Sequence, residues 1–151
     1  MKALKIKWPN DIYFETKKLA GVLLENQMQS GNQFVVIGVG INYSIDQSMT
    51  FEIPWTDLAK ITKTLPDIKL LTAEIINNIL VMSEHFSAFG FDDFQSDWKR
   101  YDMLQGKRVK YTDLKDSFEG EVLGVSSKGA LKIFTKDGVK ELYSSRHIEY
   151  I

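Results

Sequence analysis

The chain has 151 residues, enough for one ordinary domain or for a medium domain followed by a very small one. Hydrophobic residues make up 44% and charged residues 26%, the balance of a globular fold, and 19 Lys+Arg against 20 Asp+Glu leave a formal net charge of -1, so no global basic field draws the chain to nucleic acid. With no Cys and only two His, the sequence excludes disulfides, thiolate zinc sites, iron–sulfur clusters, a cysteine nucleophile and any histidine-rich metal cage.

The longest apolar run, residues 35–41, falls far short of the roughly 20 residues that span a bilayer. Residues 1–7 lack the apolar core of a signal peptide, so no membrane partner and a cytoplasmic location are expected. In chain order, Leu4 and Ile6 alternate with Lys5 and Lys7, a short strand with one wet face. Trp8-Pro9-Asn10-Asp11 reads as a loop. The apolar stretch 18–25, turn material at 28–32 and the β-rich run 34–42 predict a long hairpin buried on at least one face.

A polar, irregular stretch over 43–54 leads to a short helix over about 56–63. Thr72 is the expected N-cap of a longer helix whose Ile75, Ile79, Met82, Phe86 and Phe89 recur at three- and four-residue spacing, with Gly90 as its stop. Phe91, Phe94, Trp98 and Tyr101 repeat that spacing on a second helix, favoured at its start by Asp92 and Asp93. Beyond Gly106, five strand-sized pieces (107–112, 118–125, 130–135, 139–143 and 147–151) are separated by turn signals and predict a small β-barrel as a second domain. Trp55, Trp98 and the phenylalanines read as core aromatics. His85 and His147 read as packing or surface residues, and Arg146 would reach a phosphate only if the barrel folded back over the site, which is not the expectation.

The 34–42 strand carries the clearest chemical signal. Side chains alternate faces, so Gly38, Gly40 and Asn42 share one face while Ile37, Val39 and Ile41 fill the other. Two glycines on one face make a flat floor that a planar ligand can touch, or a surface against which a helix packs closely. Gly38-Val39-Gly40 is not a dinucleotide fingerprint, since position 43 is Tyr43 and the next glycine is Gly90. Lys17 and Lys18 begin an apolar strand, where a lysine either neutralises a phosphate or carboxylate or simply ends the strand in solvent. Asn10 and Asp11 either hold a magnesium–phosphate group or close an Asx turn.

Three segments, Lys7-Trp8-Pro9-Asn10-Asp11, Lys18-Leu19-Ala20-Gly21 and Ile37-Gly38-Val39-Gly40-Ile41-Asn42, resemble in order and spacing three motifs of the biotin protein ligases. The stretch 98–104 resembles that family's link into its C-terminal SH3-like domain. The resemblance implies an α+β fold, with residues 1–104 as the C-terminal part of the catalytic domain (a partial mixed or antiparallel sheet with helices) and 105–151 as an SH3-like barrel. It implies ATP-dependent activation of biotin to biotinyl-5′-adenylate with release of pyrophosphate, then transfer of the biotinyl group to a lysine of biotin carboxyl carrier protein.

Lys18 matches the family's catalytic lysine, beside the biotin carboxylate and the phosphate. Gly21, Leu23, Gly38, Gly40 and Ile41 match positions lining the biotin and adenylate pocket, and Asn42 one at its adenine end. Lys7, Asn10 and Asp11 match the group around ATP and Mg2+, with Trp8 and Pro9 shaping that loop and no metal stably held by this chain. The departure is the family's Gly-Arg-Gly-Arg loop: no such run occurs, and the first arginine is Arg100. The expectation is therefore a ligase fragment inactive by itself, with an exposed sheet edge that favours a homodimer. A non-catalytic module docking the carrier protein is the alternative, and without a helix-turn-helix the chain is not expected to bind DNA.

Overall fold

A computed structural model describes residues 3–113, 116–144 and 148–151. The fold divides into two compact units, Met1–Leu65 and Pro66–Ile151.

The first unit is a four-stranded antiparallel sheet of β1 (Leu4–Lys7), β2 (Asp11–Phe14), β3 (Lys17–Gln29) and β4 (Asn32–Ile41), paired in chain order. The sequence reading predicts a loop over residues 8–11 and no strand after it. The turn is shorter, because Asp11 already pairs with Lys7 and Phe14 with Leu4. The hairpin forms as expected, closed by Ser30 and Gly31 at φ 51° and 79°, the left-handed pair of a tight two-residue connection. Its burial is confined to the root, where Trp8, Tyr13, Leu19 and Ala20 are buried. Leu23, Leu24, Met28 and the apolar residues of β4 from Phe34 to Ile37 remain exposed.

A short helix, α1 (Leu58–Ile61), closes this unit. The polar 43–57 stretch before it is pinned by Asp57, which is wholly buried. Asp57 Oδ1 accepts from Lys60 N–H at 2.9 Å as the N-cap, and Oδ2 accepts from Ile45 N–H at 3.0 Å.

The second unit opens with α2 (Ile68–Phe89). Its N-cap is Asp67, whose carboxylate accepts from Lys69 and Leu70 N–H at 2.8 and 3.1 Å. Thr72 instead lies inside the helix and donates to Ile68 O at 2.7 Å. A carboxylate directly after Pro66 satisfies the first orphan donors and starts the helix a turn early. Gly90, at φ 73°, ends it. The expected second helix is split into a 3-10 turn (Asp92–Phe94) and α3 (Gln95–Tyr101). His85 Nε2 meets Asp93 Oδ2 at 2.9 Å with its ring against Phe89 and Phe94.

Strands β5 (Arg108–Thr112), β6 (Ser117–Val125), β7 (Leu131–Thr135), β8 (Gly138–Leu142) and β9 (Ile148–Tyr150) form one antiparallel sheet, ordered β8-β7-β6-β5-β9. Its five strands match the five strand-sized pieces of the sequence, with His147 and Arg146 lying outside the described residues. Leu104, Val109, Val122, Ala130, Leu131 and Ile133 are its buried core. The phenylalanines depart from expectation, since Phe34, Phe51, Phe86, Phe89 and Phe134 are each at least half exposed. No helix among the described residues is long and apolar enough to cross a membrane.

Candidate functional site

Strand pairing builds the site from one row of residues. Lys7 stands opposite Asp11, Asp11 opposite Gly21, and Gly21 opposite Gly40, across all four strands of the first sheet. Directly opposed residues project to the same face, so a carboxylate and two glycines line up on one surface, joined one step on by the Leu23–Gly38 pair. The glycine floor read from β4 alternation is thus widened by a third glycine from β3.

Regular alternation would put Lys18 on the other face, because it lies an odd number of residues from Gly21. A β-bulge reverses it. Ile12 pairs with Ala20 but Tyr13 pairs with Lys18, leaving Leu19 as an extra, buried residue and turning Lys18 back onto the glycine face. There Lys18 Nζ meets Asp11 Oδ1 at 2.6 Å. A methyl group at Gly21 would sit 3.2 Å from that carboxylate oxygen and 3.6 Å from the ammonium, so the absent side chain makes room for the ion pair.

The bulge is held from its far side. Lys18 N–H donates to Pro54 O and Thr56 N–H donates to Lys18 O, both at 2.9 Å, a parallel bridge that sets Trp55 beside Lys18. Asn42 Nδ2 donates to Thr56 O at 2.9 Å and to Lys18 O at 3.3 Å.

Two hollows meet at Lys18, Gly21 and Gly40. The first, about 470 Å³, adds Ala20, Ile41, Asn42, Phe51, Ile53 and Trp55. Phe51 and Trp55 stand edge to face at 5.3 Å, and Lys60 Nζ lies 3.7 Å from the Trp55 ring centroid. The second, about 400 Å³ and more open, adds Asn10, Asp11, Val22, Leu23, Gly38 and Val39. A cation at the junction of an aromatic-walled arm and a glycine-floored arm suits a ligand with an anionic centre and two dissimilar ends.

The structure therefore brings Lys18, Asp11, Gly21, Leu23, Gly38, Gly40, Ile41 and Asn42 around one pair of hollows. Asn10 borders the second, but its side-chain amide donates to Val22 O at 2.6 Å and its own carbonyl accepts from Val22 N–H, so its nitrogen serves the strand. Lys7 lines neither hollow; its ammonium lies 5.7 Å from the Tyr13 ring centroid. Burial, aided by the Asp11 carboxylate, raises the Tyr13 phenol above its ordinary pKa.

The sequence reading missed the aromatic wall, since Trp55 lines a hollow instead of filling a core. Wide loops carry no periodicity, and nothing in the pattern of residues 43–57 signals that the chain returns to the sheet at Trp55. Among the described residues no group of three His, Asp or Glu side chains is placed to cage a metal ion.

Residues 2–42 match the sequence pattern of the Biotin/lipoate A/B protein ligase family. The chain is 32% identical over 145 residues to the bifunctional ligase/repressor BirA of Bacillus subtilis, covering 93% of this chain and 44% of that protein. To BirA of Escherichia coli it is 30% identical over 140 residues, covering 90% and 43%. The fold is similar to the crystal structure of biotin protein ligase from Aquifex aeolicus, with a TM-score of 0.80, 28% identity and coverage of 98% of this chain and 64% of that one. It is similar also to that ligase in complex with biotin and ATP, with a TM-score of 0.79 and 29% identity. The chain thus spans under half the length of these curated relatives and under two thirds of these solved chains.

Proposed function

We propose that the chain, whose residues 2–42 match the Biotin/lipoate A/B protein ligase family, forms part of a biotin protein ligase, carrying the adenylate side of the active site. The observation that carries this reading is the Lys18 ammonium, turned by a β-bulge onto a three-glycine floor between two unlike hollows. An acyl-adenylate has that form: a planar base at one end, an acyl chain at the other and a mixed anhydride between them.

In this reading the base lies against Trp55 and Phe51, the acyl chain runs along Gly38 and Leu23, and Lys18 faces the carboxylate and α-phosphate. As the biotin carboxylate oxygen attacks the α-phosphorus and pyrophosphate leaves, charge gathers on the non-bridging oxygens, where a preorganised ammonium stabilises it. The acceptor lysine amine of a carrier protein then attacks the acyl carbon, forming the amide and releasing AMP and a proton. Gly21, Gly38 and Gly40 let the anhydride approach the backbone. Asp11 holds Lys18 in place until the phosphate competes for it.

Asp11, the single carboxylate at the floor, with the Asn10 side-chain oxygen beside it, would hold Mg2+ only together with substrate phosphates, since the described residues offer no all-protein cage. When bound, Mg2+ supplies charge neutralisation on the leaving pyrophosphate.

We further propose that 105–151 is the SH3-like domain of the family, that the boundary at 104/105 separates it from catalytic residues 1–104, that the exposed β4 edge supports a homodimer, and that the protein works in the cytoplasm. Lacking a Gly-Arg-Gly-Arg run, the chain by itself is proposed not to turn over.

Titration of the 15N-labelled chain with biotinyl-5′-adenylate tests the cleft. We expect shifts concentrated at Lys18, Gly21, Gly40, Asn42 and Trp55 and abolished by Lys18→Met. No shifts with biotinyl-5′-adenylate, combined with binding of the carrier protein, would favour a carrier-docking module instead.

A further inference from the structure

The aromatic wall and the Lys18 bulge share one set of hydrogen bonds. Lys18 N–H and O pair with Pro54 O and Thr56 N–H, Asn42 Nδ2 spans the Lys18 and Thr56 carbonyls, and Leu58 N–H returns to Asn42 O at 2.9 Å. Residue 57 then fixes the stretch at both ends, Oδ2 taking Ile45 N–H at its start and Oδ1 taking Lys60 N–H at its finish. A wholly buried carboxylate that accepts only backbone donors here does no solvation work. Its two oxygens close a ring of bonds around the 43–57 stretch, and Lys18 lies in that ring.

We infer that Asp57 is a positioning residue that ties the aromatic wall, proposed to receive the base, to the Lys18 bulge, so that the 43–57 stretch and the Lys18 backbone hold or open together. This deepens the adenylate reading and rests on it for the identity of the base. The coupling itself is a property of the ligand-free chain.

Asp57→Thr separates the two jobs of the carboxylate. A threonine oxygen still caps α1 at Lys60 N–H, but nothing remains for Ile45 N–H. Amide hydrogen exchange on the full chain then reads the ring. Relative to Val22 N–H, which is bonded to Asn10 O outside it, we expect Lys18 and Thr56 amides to exchange faster together, by about tenfold. A helix cap alone would move neither. Faster exchange at Thr56 with Lys18 unchanged, or no change at either, overturns the inference.

Should Asp57→Thr fail to fold, Asn42→Ser removes both amide donors without touching the cap and is held to the same paired outcome. Adding ATP to the wild-type chain should slow both amides in step. If ATP leaves the whole cleft unchanged, the nucleotide reading fails, while the coupling still stands or falls on the ligand-free variants.

Discussion

A methyl group at Gly21 would press on Asp11 Oδ1 at 3.2 Å and only touch Lys18 Cε at 3.5 Å, both far ends of side chains that can yield. Gly21→Val should therefore fold, with stability within about 1 kcal/mol of wild type, yet weaken biotinyl-5′-adenylate binding by roughly tenfold, measurable by calorimetry. Gly120 differs, since an added Cβ would run into the Phe134 carbonyl oxygen and lie 2.6 Å from Ile133 Cγ2. Backbone cannot yield there, so Gly120→Ala should cost about 2 kcal/mol or more in urea unfolding. Tyr13 adds a pH signature. Its phenol is raised above the ordinary value of 10.0, so the neutral form is favoured by folding. Its contribution is fully present below that value and is lost as pH rises through the raised native one. Tyr13→Phe should flatten part of the stability loss above pH 10.0. Of these positions, the β4 glycines were legible from alternation alone, because period two assigns a face without further knowledge. The orientation of Lys18 was not, since alternation counted from Gly21 points it the wrong way and only the pairing of Tyr13 with Lys18 corrects it.

The β3–β4 hairpin was legible as a pair of β-rich runs around Ser30-Gly31, yet its distal half is bare on both faces. Hydrophobic runs report that a segment is to be covered, not by what. The same holds for α2, whose Met82, Phe86 and Phe89 stripe was read from spacing and lies exposed. Strand β4 is also an edge among the described residues, and a long apolar edge recruits further strands. We expect concentration-dependent self-association in sedimentation velocity, reduced by Val35→Lys, which puts a charge on that edge. A monodisperse monomer for the wild type at all concentrations would contradict this. The N-terminus of α2 was misread for a local reason, since Asp67 and Thr72 are both good caps and the carboxylate nearer Pro66 captures the first free amides.

Taken as a whole, the chain matches the sequence pattern of the Biotin/lipoate A/B protein ligase family over residues 2–42 and aligns with longer ligase/repressor proteins along 90% or more of its length. Three short motifs made that relationship legible, and the structure places them at a loop before β2, at a lysine beside a bulge and at two glycines on one face of β4. The 43–57 loop, which completes the site, stayed illegible because its order comes from a carboxylate and an amide bonding backbone groups distant in sequence. The decisive measurement is biotin-dependent ATP–pyrophosphate exchange, made with this chain alone and with a polypeptide supplying the ligase segment that the chain does not match. We predict exchange only in the mixture, lost when Lys18→Met replaces the wild type. Exchange by the chain alone, or exchange in the mixture that survives Lys18→Met, would contradict the assignment of Lys18 to the reacting centre of an incomplete ligase.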